Sequence, residues 1–369
     1  MCPNKCLSEK DDTSKLRDYL HSNKTIVFQV APAVRVSLGD EFGYKPGTNV
    51  ESKIISALRL IGGDYVFDTT FGADLTVMEE ANELISRIKK KKKGPMLTSC
   101  CPSWVKFIKM FYPEYISNLS TCKSPILMEG AIIKNYFSIV NDIPKNDILS
   151  IAITPCTSKK IEIHNNEDID LVITARELAK YLKEENIDIK NLKDGSFDSL
   201  MSKGSGGGVI FGTSGGVMES TIREVYHILY GRSPSKKLLN FKEVRGLNNV
   251  KEASITIKGI NLKLAVINGT GDARKVLDKI SKNELYYDFI EVMACEGGCI
   301  GGGGQPRIYP ITNNLRIKRM NGLYNSDKRM KIRVASSNTD IKDVYENFLG
   351  KPLSNKSLKY LHTDHNVNK

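Results

Sequence analysis

The sequence predicts an α/β fold of two lobes, each a small mixed or parallel sheet flanked by helices, with a C-terminal extension wrapped around them. Three observations predict it. Short β-branched apolar runs alternate with segments of helical periodicity along most of the chain. A length of 369 residues suits two packed units at roughly 100–200 residues per domain. From about residue 311 onward the chain turns polar and lysine-rich, as an extension would, rather than supplying a third core. The expected division is a tail over 1–20, a first lobe over 21–147, a second lobe over 148–310 and the extension over 311–369.

The elements follow in order. Residues 25–30, TIVFQV, form a strand closed by Ala31-Pro32. Ile54, Ile55, Leu58 and Ile61 fall at helical spacing over 52–61, and Gly62-Gly63 stops that helix. Tyr65–Asp68 reads as a second strand. A long helix over 74–93 carries an apolar face of Leu75, Met78, Ala81, Leu84, Ile85 and Ile88, and ends in Lys89–Lys93 before Gly94-Pro95. ILSIAIT, from residue 148, opens the second lobe, followed by a strand over 171–173 and a helix over 175–185. Seven glycines between Lys203 and Gly216 are too many for a packed helix and lead into an amphipathic helix over 217–229. Strands near 253–267, a helix over 272–281 and a strand over 288–293 complete the lobe.

Composition narrows the class. With 40% hydrophobic residues the chain can bury a core, so wholesale disorder is excluded. Apolar stretches are broken by charge well before about 18 residues, so no membrane span is expected. MCPNKCLSEKDD has no apolar leader core, and a cytoplasmic protein is expected. In a reducing compartment the 8 cysteines point to metal binding or catalysis rather than to disulfides. The net charge of +12 and the run Lys89–Lys93 come with no nucleic-acid motif. They suit a solvated surface or a docking face for an acidic carrier.

Three cysteine segments share one local logic, in which a strand ends, a turn holds cysteine, and a helix or glycine loop begins. They are TSCCPSW (Thr98–Trp104), TPCTSKKIE (Thr154–Glu162) and EVMACEGGCIGGGGQP (Glu291–Pro306). Pro102 suits the first turn of a helix, which places Cys100 and Cys101 at its N-terminus, where thiolates are favoured. The glycines after Cys299 let backbone approach a bulky group. Cys101, Cys156, Cys295 and Cys299 are the ligand complement of a [4Fe–4S] cluster. Four-cysteine zinc is the competing chemistry, although paired C-x-x-C knuckles are missing.

These segments resemble the three signature segments of the [FeFe]-hydrogenase catalytic domain. APAVRV (31–36), FDTTFGADLTVMEE (67–80), CKSP (122–125), VIFGTSGGVME (209–219) and KYLHTDH (359–365) are similar to further stretches of that family, in the same order. The resemblance implies a cluster in the cleft between the lobes. Cys101, Cys156, Cys295 and Cys299 would hold its [4Fe–4S] part. Cys299 would bridge to a di-iron subsite bearing CO, cyanide and an azadithiolate, installed by maturation enzymes. Cys100 would pass protons, Lys159 would donate to a cyanide, and Ala31, Pro32, Met293, Gln305 and Thr154 would line the pocket, with Ser214 adjacent. The implied proton route is Cys100, Glu80, Ser120, Glu83 and then Arg87 at the surface. From spacing alone, Glu80, Glu83 and Arg87 on one helix edge read equally as a solvated salt-bridge stripe. The implied activity is reversible reduction of protons to H2 with electrons from a ferredoxin-like donor.

The sequence departs from that family at Thr154, where Met is usual, at Ile126, where Gln is commoner, and at Gly301, where Asn is usual. No C-x-x-C-x-x-C-x-x-x-C-P run occurs, so a form without ferredoxin-like domains is expected. Cys2 and Cys6 read as spare thiols in a frayed tail or as part of a cluster shared with another chain. Cys122 reads as a structural thiol, and none of the five histidines is assigned to a metal. The rival readings are a hydrogenase-like iron–sulfur assembly factor, against which Cys100 and Lys159 argue, and a slow H2 sensor.

Overall fold

The computed structural model describes residues 9–164, 166–308 and 312–366; Cys2 and Cys6 lie outside them. Eight strands form two four-stranded sheets among the described residues. The first sheet has the order β2-β1-β4-β5, from Tyr65–Asp68, Thr25–Val30, Ile148–Thr154 and Leu171–Thr174, and is parallel throughout. The second has the order β3-β8-β7-β6, from Met96–Leu97, Phe289–Met293, Ile260–Asn268 and Val250–Ile257. It is parallel except for the β6–β7 hairpin.

Strand β4, read from sequence as the start of a second lobe, is hydrogen-bonded to β1, and β5 to β4, so both belong to the first sheet. The chain instead leaves for the second sheet before residue 148 through β3, pairs it with β8 and returns. A two-residue strand is too short to carry a period, so composition does not reveal this excursion.

Alternation along β1 explains the layers. Ile26, Phe28 and Val30 pack against Ile54 and Leu58 on one face and Leu178 and Leu182 beside them. Val27 points the other way, toward Phe67, Phe71, Leu75 and Met128. Each such side chain contributes about 1.5–3 kcal/mol when fully buried. The helix Thr70–Lys89 serves both cores: Leu75 packs in the first, while Ala81, Leu84 and Ile85 pack with Met218, Leu264 and Phe289 of the second. It starts four residues earlier than its apolar period indicates and stops at Lys89, with Lys91 already at φ 49°.

The glycine-rich segment does contain a packed helix, Gly206–Ile210, begun by the Ser205 hydroxyl accepting from the Gly208 N–H at 3.3 Å. Glycine is needed there because a Cβ on Gly208 would fall 2.5 Å from the Thr70 carbonyl oxygen. Close packing on the long helix overrides glycine's low helix propensity. The extension wraps as expected. Its helix Asn313–Arg329 places Asp327 against Arg223 at 2.9 Å, inside the fold. Its last helix, Asn355–Leu361, ends where Lys123 N–H donates to the Leu361 carbonyl at 2.9 Å.

Candidate active site

Every cysteine segment begins at the carboxyl end of a parallel strand. β3 runs into Cys100 and Cys101, β4 into Cys156, and β8 into Cys295 and Cys299, while β1 delivers Ala31 and Pro32. Ligands of open α/β sheets bind outside these ends. Here they enclose a mostly apolar cavity of about 210 Å³, whose wall includes all five of these thiols.

Local chemistry holds each loop. Cys101 caps the helix Pro102–Phe111 with Pro102 in its first turn, as expected. The Trp104 indole N–H donates to the Thr98 carbonyl at 3.0 Å and ties the loop to that helix. The Thr154 hydroxyl is turned onto its own loop, donating to the Cys156 carbonyl at 3.2 Å. At Gly302 a Cβ would meet the Pro155 carbonyl oxygen at 2.3 Å, and at Gly298, φ +86°, the Ser214 nitrogen at 2.5 Å. These glycines therefore let loops lie against one another on the cavity wall.

Of the expected lining, Ala31, Pro32, Thr154, Lys159 and Met293 are on the wall, together with Ile126. Gln305 is not, and Ser214, expected beside the pocket, is not on the wall either. Ser214 lies behind the wall, accepting from Lys251 Nζ at 3.1 Å. Gln305 braces the loop from outside, donating to the Cys299 carbonyl at 3.2 Å and accepting from the Ser37 hydroxyl at 2.5 Å. Thr69, Ala73 and Phe211 are also on the wall; nothing in their local pattern distinguishes them from ordinary core residues.

The thiols sense one another. Burial raises the pKa values of Cys101 and Cys299, and the charge of Cys156 raises both further; Cys295 is pushed up to about 12 by the same causes. Ionised together, these thiols would repel one another, so holding them as thiolates calls for a cation. Among the described residues no three His, Cys, Asp or Glu side chains converge closely enough to hold a single metal ion. Lys159 Nζ donates to Glu162 Oε2 at 2.6 Å and to the Cys100 carbonyl at 3.1 Å. Burial opposes its charge, but Glu162 and the neighbouring thiols outweigh it and hold its pKa above the usual lysine value.

Behind Cys100 runs a line of acids. Burial, then the charge of Glu80, raises the Cys100 thiol well above its ordinary value. Glu80 is 1% exposed, which excludes a solvated stripe. Burial and the charge of Glu83 push it up to about 8. Ser120 donates to Glu83 Oε2 at 2.8 Å. Arg87 is buried, not at the surface, with its guanidinium donating to the Ser117 carbonyl at 3.3 Å. The extension covers this line: the His365 ring lies 2.8 Å from the Ser120 carbonyl. Cys122 is buried beside it, paired in a bridge with His362.

Residues 24–303 match the family model described as the C-terminal domain of the iron only hydrogenase large subunit, and residues 313–367 match the iron hydrogenase small subunit. The chain belongs to the iron hydrogenase family. It is 41% identical to NADP-reducing hydrogenase subunit HndD of Solidesulfovibrio fructosivorans, over 98% of this chain and 64% of that protein. It is 40% identical to iron hydrogenase 1 of Clostridium pasteurianum, again over 98% of this chain and 64% of the relative. The chain thus spans less than two thirds of the length of these two hydrogenases. More distantly, protein NAR1 of Arabidopsis thaliana is 27% identical over 97% of this chain. [FeFe]-hydrogenase HydA1 from Chlamydomonas reinhardtii superposes with a TM-score of 0.85 at 35% identity, covering 96% of this chain and 98% of that one. No helix among the described residues is long and apolar enough to cross a membrane.

Proposed function

We propose that this iron hydrogenase family member is an [FeFe]-hydrogenase, catalysing 2H⁺ + 2e⁻ ⇌ H2 with electrons from a ferredoxin-like carrier. The observation that carries the reading is a fifth thiol, Cys100, on the same wall as four scattered thiols, with buried Glu80 behind it. The donor set fits an H-cluster. Cys101, Cys156, Cys295 and Cys299 stand around a cavity instead of converging on a point, which suits a cubane better than one zinc ion. Cys299 would also carry the di-iron subsite delivered by maturation enzymes. When bound, the H-cluster would pass on the carrier's electrons and supply the H–H bond chemistry.

The chain's own residues manage protons and shape. At neutral pH the raised Cys100 thiol keeps its proton at Sγ, facing the cavity. Glu80, with its pKa pushed up to about 8, is mostly protonated at pH 7 and can restore a proton that Cys100 gives up. Ser120 and Glu83 extend the line outward. Lys159, held by Glu162, presents an ammonium at the wall for an anionic ligand such as cyanide. Ala31, Pro32, Ile126 and Met293 keep water out.

For the carrier, Arg176, Arg307 and Arg316 line a concavity against Gly301–Gly303, next to Cys299, where pairing with Glu9 and Glu296 offsets part of their charge and leaves a net positive rim. The Lys89–Lys93 run is the poorer choice. It begins about 24 Å from Ala73 at the cavity, taking 1.5 Å per helical residue.

The test is anaerobic reconstitution with iron and sulfide, loading with a synthetic azadithiolate di-iron complex, and assay of H2 release from reduced methyl viologen. H2 release that requires the di-iron complex is expected. A chain that holds four irons and the complex but makes no H2 would overturn the reading in favour of an assembly factor or a sensor, with Thr154 and Ile126 the first residues to exchange.

A further inference from the structure

The segment KYLHTDH, residues 359–365, carries two histidines that the proton line through Glu80 does not use. It belongs to the extension, yet it lies along residues 120–123, where Ser120 meets Glu83. Lys123 N–H donates to the Leu361 carbonyl at 2.9 Å, and Thr363 N–H donates to the Thr121 carbonyl at 2.8 Å. Between these two bonds Cys122 and His362 pair as an antiparallel bridge. The buried His362 ring ties the same loop to the helix Thr70–Lys89. Its Nδ1 lies 2.7 Å from the Thr121 hydroxyl and its Nε2 3.0 Å from Glu79 Oε2. Beyond the bridge, His365 Nε2 lies 2.8 Å from the Ser120 carbonyl oxygen. A carbonyl only accepts, so this Nε2 carries the proton and donates.

The peptide unit joining Ser120 to Thr121 is thereby held from both sides. Its N–H donates to Glu83 Oε2 at 3.2 Å, and its carbonyl takes the His365 bond. The unit is planar, so its N–H and C=O turn together. Whatever fixes the carbonyl also fixes the N–H, and with it the Ser120 hydroxyl that donates to Glu83 Oε2 at 2.8 Å. That hydroxyl acts on Glu80 too: burial raises the proton affinity of Glu80, and Ser120 partly offsets it. Ser120 has no exposure. Without His365 its carbonyl is an unpaired buried acceptor, and the peptide is released to turn toward another donor.

We propose that His365 is a positioning residue for proton delivery, which holds the Ser120 hydroxyl between Glu80 and Glu83 by donating to the Ser120 carbonyl. The proposal rests on the hydrogenase reading and deepens it. The extension is then part of the working site: it completes the proton line from outside, through backbone, without touching the cysteine cavity.

Two variants separate the donor from the ring. His365→Phe keeps a ring and cannot donate; His365→Gln keeps an N–H donor at the same reach and cannot titrate. In the chain without cofactor, hydrogen exchange of a peptide covering 117–123 should be at least roughly fivefold faster in His365→Phe, the scale of one lost hydrogen bond. His365→Gln should exchange as wild type does. In the loaded protein, His365→Phe should keep the wild-type iron content and thermal midpoint. It should evolve H2 at least roughly fivefold more slowly, with a larger solvent deuterium isotope effect, and His365→Gln should restore both rate and isotope effect. Unchanged exchange, or an unchanged isotope effect, in His365→Phe overturns the proposal. A His365→Gln variant as slow as His365→Phe also overturns it, in favour of a ring that carries protons itself. A loaded wild-type chain that evolves no H2 overturns the hydrogenase reading and this role with it, whereas an active wild type with an indifferent His365→Phe overturns this role alone.

Discussion

The Ser120 hydroxyl donates to Glu83 Oε2 at 2.8 Å, joining the loop after β3 to the helix Thr70–Lys89 across a sequence separation of 37 residues. This bond places a hydroxyl between two carboxyl groups, Glu80 and Glu83, each of which raises the proton affinity of its surroundings. It is the contact that turns a helix edge into a line directed at Cys100.

Removing the thiol at the end of that line should stop proton delivery without disturbing the cluster ligands. Cys100→Ala is expected to keep the wild-type iron content and to lose at least roughly 10²-fold in H2 evolution. Iron analysis and a methyl viologen assay on the same preparation check both halves.

The ligand assignment has the opposite signature. Replacing Cys101, Cys156, Cys295 or Cys299 singly by Ala should lower iron per chain after reconstitution, whereas Cys122→Ala, which is not on the cavity wall, should not. Iron retained at the wild-type level in any of the four would remove that residue from the ligand set.

Glu79 anchors the extension. Its carboxylate accepts from the Tyr345 and Ser357 hydroxyls at 2.5 Å each and from the Leu353 N–H at 2.9 Å, and the His362 ring lies 3.0 Å away. Glu79→Ala leaves these groups buried and unpaired, a cost of about 3 kcal/mol. Urea unfolding should show the loss, and Glu79→Gln should show a smaller one.

Asp74 gives a pH signature. Burial pushes its pKa up to about 7, against the hydrogen bonds it accepts from Ser205 and Asn338. A raised folded-state pKa means that the folded chain binds the extra proton. The contribution to stability is complete below about pH 4 and is lost as pH rises toward 7. Asp74→Asn cannot titrate, so wild type should lose stability relative to it across that window, by a few kcal/mol at most. Urea midpoints measured from pH 4.5 to 7.5 check the sign; a constant difference would show that Asp74 does not titrate there.

The sequence by itself determined the α/β class, most element positions and the cysteine loops, because strands with β-branched runs, breaker pairs and spaced cysteines are local signals. Pro102 after Cys101 and the Ala31-Pro32 break are legible within a few residues, and both sit on the cavity as their chemistry suggests. The tertiary structure alone decided which sheet each strand joins. The hydrogen bonding of β4 to β1 depends on a partner more than 100 residues away. It also decided exposure. Glu80, Arg87 and Glu129 carry the residue types of a solvated helix surface, and only packing against distant segments buries them. Burial is what raises Glu80 to about 8 and makes it able to hold a proton near neutral pH. Charge in the sequence is a property of the residue; its proton affinity is set by what the fold places around it.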